Sequence, residues 1–293
     1  MTLVAASLFA VNGAVAKVIL ASGITPLRLT ELRTTFGFVG LALVLVVLSP
    51  DRLRLSRNEV PFLVFYGICG FALVQWLYLV AIHRLPIGIG LLLEFTAPVL
   101  VALWARFAWH EPVRGRVWIA LGLSVAGLAL VAEVWSGVTL DGVGIAAGLA
   151  AAVVLATYFL AGEHGVSRRD PLSLVCYALL FASLFWAITQ PWWSFPFDVL
   201  QGSTSLHGHL ATTPVPLWAL YLWLVVLGTI VPFALSIGAL RHLPATTVGI
   251  IATFEPVAAS VVAWVWLGES LDAAQLVGGA IVLTGIVLAQ TSR

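Results

Sequence analysis

Charge is the scarcest property of this sequence. Only 9% of its 293 residues are charged, whereas 61% are hydrophobic, and soluble domains usually carry about a quarter charged residues. A surface this apolar would not be stable in water, so the composition excludes an ordinary soluble domain and predicts a protein embedded in a lipid bilayer. The net charge of +1 offers no basic face for nucleic acid.

Cysteine and metal-binding residues are also rare. Cys69 and Cys176 lie in apolar runs far apart in the sequence, so we expect two packing residues rather than a disulfide or metal framework. His207 and His209 have metal-like spacing but no further ligand nearby, and we interpret them as loop residues. The sequence contains no nucleophile–base arrangement or nucleotide-binding motif, so we predict neither an enzyme nor a metal or cofactor.

Apolar runs long enough to cross a bilayer recur along the whole chain. A helix needs about 20 apolar residues to span the hydrocarbon core, and backbone groups in lipid must be paired within the segment. The sequence contains ten such runs, at approximately 3–21, 26–48, 60–82, 86–109, 115–134, 142–161, 171–190, 216–240, 244–267 and 271–290. We therefore predict an all-α membrane protein with ten transmembrane helices.

The arginines indicate how these helices are oriented, because cytoplasmic loops of membrane proteins are enriched in arginine and lysine. With the N-terminus in the cytoplasm, Arg28 and Arg84 fall outside and ten arginines fall inside. The inside set is Arg52, Arg54, Arg57, Arg106, Arg114, Arg116, Arg168, Arg169, Arg241 and Arg293. We predict a multi-pass protein of the bacterial inner (cytoplasmic) membrane with both termini in the cytoplasm.

An internal repeat divides the chain into two halves. His83–Pro86 reads His-Arg-Leu-Pro, and Arg241–Pro244, which lies 158 positions later, reads Arg-His-Leu-Pro. At the same spacing Pro98 aligns with Pro256. A basic pair before Leu-Pro, followed by a mid-helix proline, is a specific pattern, so we interpret the second half as a copy of the first.

Each half contains five of the predicted helices, and this odd number has a topological consequence. The second half starts on the opposite side of the membrane, so the two domains, 1–138 and 139–293, are predicted to be inverted repeats. Inverted repeats are a recurring plan of secondary transporters, which bind substrate near the middle of the membrane between the halves. A duplicated membrane scaffold without transport is the alternative interpretation.

The residues around the two mid-helix prolines resemble those of a known family. Glu94–Pro98 reads Glu-Phe-Thr-Ala-Pro, and Glu255–Pro256 is followed by Leu-Gly-Glu-Ser-Leu at Leu267–Leu271. Over nearly its whole length the chain resembles the EamA family of the drug/metabolite transporter superfamily, and the first motif is similar to that of the bacterial threonine/homoserine exporter branch. The resemblance implies export of amino acids or amino-acid-like zwitterions by alternating access around a midplane cavity.

The same fold serves more than one kind of transport, so the substrate stays open. The alternative is a multidrug or cation efflux carrier, against which Arg33 argues because it places a cation in the expected cavity. In either case the expected partners are a small-molecule substrate and the lipid bilayer, with protons as a candidate coupling ion and no nucleic acid. The chain is expected to be a monomer or a homodimer.

Charged residues inside membrane helices are costly, so each one needs a physical reason. Glu94 and Glu255 lie near the middle of predicted helices four and nine, and Arg33 lies in the outer half of helix two. We predict that the glutamates bind an ammonium or exchange protons and that Arg33 binds a substrate carboxylate. The alternatives are that the glutamates only bond a neighbouring helix and that Arg33 forms an ion pair with one of them.

Two prolines and seven further side chains complete the predicted site. Pro98 and Pro256 have no N–H for the carbonyls of residues 94 and 252, so each helix is expected to kink and present a carbonyl near the midplane. The other predicted lining residues are Asn12, Gln75, Trp76, Tyr78, Thr96, Tyr158 and Thr253. Interhelical packing is the alternative role for all of them.

Three charged residues near the outer ends of the first two helices are assigned structural roles. Lys17 is expected to extend to the membrane interface. Arg28 and Glu31 are three residues apart, share a helix face and are predicted to pair at the outer rim. The one long loop, at about 191–215, has no role that the sequence assigns.

Overall fold

A computed structural model of the chain describes residues 1–85, 87–110, 113–131, 141–267 and 272–290. Within these residues, eight helices are long and apolar enough to cross a membrane, and two shorter apolar helices accompany them. The all-helical class predicted from the sequence is therefore confirmed. The sequence motif at Leu267–Leu271 lies largely outside the described residues, as does the C-terminal Arg293.

We number the long helices α1 to α10 in chain order. They are α1 (Thr2–Ala21), α2 (Pro26–Leu48), α3 (Arg57–Arg84), α4 (Ile87–Glu94 and Ala97–Phe107), α5 (Gly115–Val131), α6 (Gly142–Val166), α7 (Pro171–Thr189), α8 (Leu217–Ala239), α9 (Ala245–Ala252, Phe254–Val262 and Ala263–Leu267) and α10 (Ala273–Gln290). The helix starts carry capping side chains, since Thr25, Asp141 and Asp170 accept backbone N–H groups of α2, α6 and α7.

The start of α9 is capped by a side chain from a different helix. Pro244, which precedes α9, has no side-chain oxygen, and the Glu163 carboxylate of α6 accepts the Ala245 N–H at 2.9 Å instead. A negative charge at a helix N-terminus also interacts favourably with the helix dipole. The contact joins the last turns of α6, which ends at Val166, to the start of α9.

Among the described helices, α9 ends in a π-helical turn at Ala263–Leu267, and two further π-helical turns lie at equivalent places of the sequence repeat. These two turns are Ile68–Leu73 in α3 and Val226–Ile230 in α8, and they begin 158 positions apart, which is the spacing of the sequence repeat. A π turn inserts one residue into the helical ladder and occurs frequently at functional sites. The repeat therefore extends from the sequence to the irregularities of the backbone.

α4 and α9 are each interrupted just before a proline. Phe95 and Thr96 separate the pieces of α4 ahead of Pro98, and Thr253 separates the first pieces of α9 ahead of Pro256. The first piece of each helix is eight residues long and starts at an equivalent position of the repeat. Each proline lies in the first turn of the following piece, where its missing N–H costs little.

The linkers after α2 and α7 are each held by an arginine from the other half. Arg169 donates to the Arg54 carbonyl on the linker from α2 to α3, at 2.7 Å, and to the Glu59 carboxylate in the first turn of α3, at 2.6 Å. Arg28 donates to the Ser194 hydroxyl at 2.6 Å, on the linker from α7 to α8. We call these two contacts the Arg169 clasp and the Arg28 clasp.

The long linker between α7 and α8 packs against the C-terminal half of α1 and the first turns of α2 and α8. It contains strands β1 (Ser203–Ser205) and β2 (Pro214–Pro216), which pair antiparallel. Phe195 is buried in an apolar cluster with residues of α1, α2 and α8. Arg28 also pairs with Glu31 at 2.7 Å, which confirms the predicted rim pair.

Candidate functional site

A chamber lies among α1, α2, α3, α4, α6, α8 and α9. It holds about 740 Å³ of empty space, part of which belongs to its open mouth. The lining residues are Thr2, Ala5, Ala6, Phe9, Asn12, Arg33, Val74, Gln75, Tyr78, Glu94, Phe95, Leu155, Tyr158, Phe159, Phe233, Ser236, Ala252 and Glu255. Both halves contribute to the lining, which extends to the first turn of α1.

Three charged side chains line this chamber. Arg33 of α2 and Glu94 of α4 are buried, with 3% and 6% of their surfaces exposed, and Glu255 of α9 is partly buried. The two glutamates come from equivalent helices of the halves but not from equivalent positions, because Glu94 aligns with Ala252 and Glu255 aligns with Ala97. Among the described lining residues, two carboxylates therefore share the chamber with one guanidinium.

Arg33 is held by the π-helical turn of α8. Its Nε donates to the Thr229 hydroxyl at 3.1 Å, and its Nη2 donates to the Gly228 carbonyl at 2.8 Å. No carboxylate of the described residues lies within 4.0 Å of this guanidinium, although Glu255 is near enough to attract it electrostatically. The direct ion pair that the sequence left open is thus replaced by bonds to neutral acceptors.

Asn12 of α1 packs against the same turn of α8. A Cβ atom added to Gly228 would overlap Asn12 Oδ1, so only glycine fits at this position while Asn12 stays where it is. Asn12 is 4% exposed, and its Oδ1 accepts no hydrogen bond from the described part of the chain. Gly228 therefore contacts both Asn12 and Arg33, two of the residues predicted from the sequence.

The chamber also contains three more of the predicted residues. Gln75 donates through Nε2 to the Phe71 carbonyl at 3.0 Å, while its buried Oε1 accepts no hydrogen bond within the described residues. Tyr78 lines the wall on α3, and Tyr158 of α6 packs edge-on against the Phe233 ring. Buried polar atoms are normally hydrogen-bonded, so acceptors that stay open beside a chamber are available to a ligand.

Trp76, Thr96 and Thr253 were also predicted to line the site, and the structure places them outside the chamber lining. Trp76 packs edge-to-face against Trp186 with ring centroids 6.0 Å apart. The hydroxyls of Thr96 and Thr253 each donate to a carbonyl three residues earlier, at 2.7 and 2.6 Å. The threonines satisfy carbonyls at the two helix interruptions, which is a structural role.

Sequence reasoning did not identify Gly228 and Thr229, which the structure places in contact with the site. Thr229 is fully buried, and its hydroxyl also donates to the Leu224 carbonyl, five residues earlier, at 2.8 Å. The available signal is a Gly-Thr pair inside a long apolar run, because a hydroxyl there needs an acceptor. That signal does not show that a π turn brings the pair to Arg33.

Several residues singled out in the sequence lie away from the chamber. Lys17 is exposed on α1, as expected for a side chain that extends to the interface, and His207 and His209 are exposed on the outer linker. Cys69 and Cys176 are both free. Within the described residues no group of three potential metal ligands comes together.

The comparison with known families agrees with this geometry. Residues 1–132 and 142–291 each match the EamA-like transporter family. The chain belongs to this family, as the sequence resemblance predicted, and is a multi-pass membrane transporter. The matched stretches fall on either side of the midpoint, one in each half of the chain.

Individual relatives cover most of the chain. The threonine/homoserine exporter RhtA of Escherichia coli is 30% identical over 275 residues, which are 93% of this chain and 83% of that protein. A probable terminal-alkyne amino-acid exporter of Streptantibioticus cattleyicolor is 28% identical over 266 residues, or 91% and 84% of the two chains. A solved crystal structure superimposes with a TM-score of 0.74 at 17% identity, covering 99% of this chain and 96% of that one, and supports the fold.

Proposed function

We propose that this chain is a secondary transporter of the bacterial inner membrane that exports amino acids or amino-acid-like zwitterions by alternating access. The observation that carries the proposal is the chamber, which both halves line and which contains Arg33, Glu94 and Glu255. A zwitterion has an ammonium, which the carboxylates of this lining attract, and a carboxylate, which the guanidinium attracts. The exporter names of two relatives support the same cargo class.

The proposed topology is ten transmembrane helices in two inverted five-helix repeats, residues 1–138 and 139–293, with both termini in the cytoplasm. The recurrence of the π turns and the interrupted helices at one spacing supports the repeat. The chamber extends to the first turn of α1, which this topology places at the cytoplasmic side. A monomer or a homodimer fits this arrangement.

Proton coupling through Glu94 or Glu255 is part of the proposal. Two carboxylates share the chamber with one guanidinium among the described lining residues, and an excess negative charge away from water is unfavourable. Binding a proton or an ammonium neutralises that excess. The cargo and the proton would then compete for the same carboxylates, which is the basis of exchange.

The proposal is tested with the purified chain in liposomes that contain radiolabelled threonine or homoserine. We expect saturable efflux, and we expect Glu94→Gln and Glu255→Gln each to lower it at least about tenfold, because a neutral amide attracts an ammonium much less than a carboxylate. Lys17→Gln, on the exposed face of α1, serves as the control for a lost charge. Efflux at the wild-type rate in both glutamine variants would refute the carboxylate role.

A multidrug or cation efflux carrier is the second candidate. The observation in its favour is that Arg33 bonds to α8 rather than to a carboxylate, which leaves Glu94 and Glu255 available to a lipophilic cation. Growth of overexpressing cells separates the two candidates. Protection against toxic amino-acid analogues supports the exporter of zwitterions, whereas protection against lipophilic cations alone supports the second candidate.

A further inference from the structure

The π-helical turn of α8 is where two polar side chains of the chamber come together. Gly228 accepts a hydrogen bond from Arg33 through its carbonyl, and its missing Cβ leaves the space in which Asn12 lies. Arg33 belongs to α2 and Asn12 to α1, so the turn fixes the relative position of side chains from two other helices. A π turn can do this because its ladder is locally widened and its groups are displaced from α-helical positions.

The hydrogen bonds of Arg33 determine which edge of its guanidinium faces the chamber. A guanidinium has five N–H donors in a rigid plane. Nε and Nη2 are directed to Thr229 and Gly228, whereas Nη1 makes no hydrogen bond to the described part of the chain. The edge formed by Nη1 and the second N–H of Nη2 is left for a ligand, and this edge matches a carboxylate bidentately.

The amide of Asn12 adds a donor at the same turn. Its Oδ1 rests on the backbone of Gly228, so the Nδ2 group lies at the other end of the carboxamide. Asn12 and Arg33 both contact Gly228, and both line the chamber. The turn thus brings an amide donor and a guanidinium to one chamber wall, and both groups complement an anionic oxygen.

Resting on the proposed function, we infer that this π turn positions the carboxylate subsite of the transporter. Gly228 and Thr229 are positioning residues that hold Asn12 and Arg33, whose N–H groups bind the α-carboxylate of the cargo. The ammonium of the cargo is bound by the two glutamates of the chamber. The cargo class that this predicts is a small amino acid with a free carboxylate, and an amine without one binds only through its ammonium.

The test uses Thr229→Val, which keeps the size and shape of the side chain and removes the hydroxyl that holds Arg33 Nε. We expect the KM for threonine efflux to rise about tenfold, as for the loss of one hydrogen bond to a charged group, with kcat within about twofold. Thr229→Ser, which restores the hydroxyl, is expected to recover the wild-type KM to within about twofold. Competition by 1-amino-2-propanol, which is threonine without its carboxylate, is expected to be unchanged in Thr229→Val.

The matched control is Thr34→Val. Thr34 is fully buried on α2, next to Arg33, and its hydroxyl bonds only to carbonyls of its own helix, so the KM is expected to stay at the wild-type value. A rise in KM for threonine together with weaker competition by the amine would show that the turn has a general structural role and would overturn the inference. An unchanged KM in Thr229→Val, or an amine that does not compete with the wild type, would overturn it as well.

The same experiment separates this inference from the proposed function. If the wild-type protein in liposomes transports neither threonine nor homoserine, the proposed export is refuted and the carboxylate subsite with it. If the wild-type protein transports them and Thr229→Val behaves like the wild type, only the role of the π turn is refuted.

Discussion

The π-helical turns of α3 and α8 have the same position in the two halves and different surroundings. Phe71 in α3 stands where α8 has Thr229, and its ring packs against those of Tyr66, Tyr158 and Phe233. Thr229 instead bonds to a buried guanidinium. The duplicated sequence thus provides a π turn twice, whereas only the turn of α8 holds the buried guanidinium among the described residues.

The glycines of the two turns show the same contrast. Gly70 and Gly228 are 158 positions apart, and neither has room for a Cβ atom. At Gly70 that atom would meet the Tyr66 ring at 2.9 Å, and at Gly228 it would meet Asn12. A glycine that serves apolar packing and a glycine that serves recognition therefore occupy equivalent positions, and substitutions can tell them apart.

The largest expected effect comes from replacing Arg33, the α2 residue whose guanidinium bonds to the turn of α8. Arg33→Met removes the guanidinium and leaves two carboxylates in the chamber without it, so we expect threonine efflux from liposomes to fall at least about 100-fold. Phe71→Leu in the equivalent turn is expected to lower the Tm and to keep efflux within about threefold. Equal losses of efflux in the two variants would break the contrast between the turns.

Moving each glutamate to its repeat-equivalent position is expected to have the next largest effect. Ala252 lines the chamber, whereas Ala97 is fully buried in the apolar core. The double variant Glu94→Ala, Ala252→Glu keeps a carboxylate in the chamber, and we expect efflux within about tenfold of the wild type. The double variant Glu255→Ala, Ala97→Glu places a carboxylate in the core, which is strongly unfavourable. We expect little folded protein of this second variant by size-exclusion chromatography and no efflux. Equal efflux from the two double variants would contradict the placement of position 252 in the chamber and of position 97 in the core.

Alanine substitutions of the paired glycines are expected to give moderate effects on different quantities, the KM for Gly228 and the Tm for Gly70. Gly228→Ala displaces Asn12, and we expect the KM for threonine to rise about tenfold with a small change in Tm. Gly70→Ala forces the buried Tyr66 ring to move, and overpacking of this kind costs about 1–3 kcal/mol, so the Tm is expected to fall while the KM stays unchanged. If Gly228→Ala lowered the Tm and left the KM unchanged, both turns would serve packing alone.

The smallest expected effect concerns the two clasps. Ser194→Ala removes the hydroxyl bond of the Arg28 clasp, which is worth about 1 kcal/mol, so hydrogen exchange of the outer linker is expected to become about fivefold faster. In both clasps two backbone carbonyls still accept from the guanidinium. Glu59→Gln also keeps a side-chain oxygen that can accept the hydrogen bond of Arg169, whereas alanine at position 194 has none, so we expect a smaller change for Glu59→Gln. Faster exchange in Glu59→Gln than in Ser194→Ala would reverse the order of the clasps.

The sequence was sufficient to predict the helical class and seven of the ten side chains expected to line the site, because long apolar runs and buried charges are local signals. Arg33, Glu94 and Glu255 stand out in apolar runs and line one chamber. Whether the side chains of Trp76 and Thr253 point into the chamber or against a neighbouring helix could not be predicted in the same way. A helix that is apolar all round carries no periodic pattern that shows which side packs inward.

The π turns could not be predicted from local sequence either. Their extra residue is stabilised by contacts that are distant in the chain, such as the bond from Arg33 to Gly228, which spans 195 positions. The cap at Ala245 has the same character, because its acceptor, Glu163, lies 82 positions away. Tertiary contacts of this kind decide where a helix bends and where it begins.

That cap has a mechanical consequence. Since Glu163 binds the first N–H of α9, the segment Ala245–Ala252 is tied to α6 and is expected to move with it as one body. The segment that carries Glu255 begins beyond the interruption at Thr253. A bend at this joint would swing the carboxylate across the chamber while α6 and the start of α9 stay in register, so a small rotation of one helix pair becomes a displacement of the charge that holds the cargo.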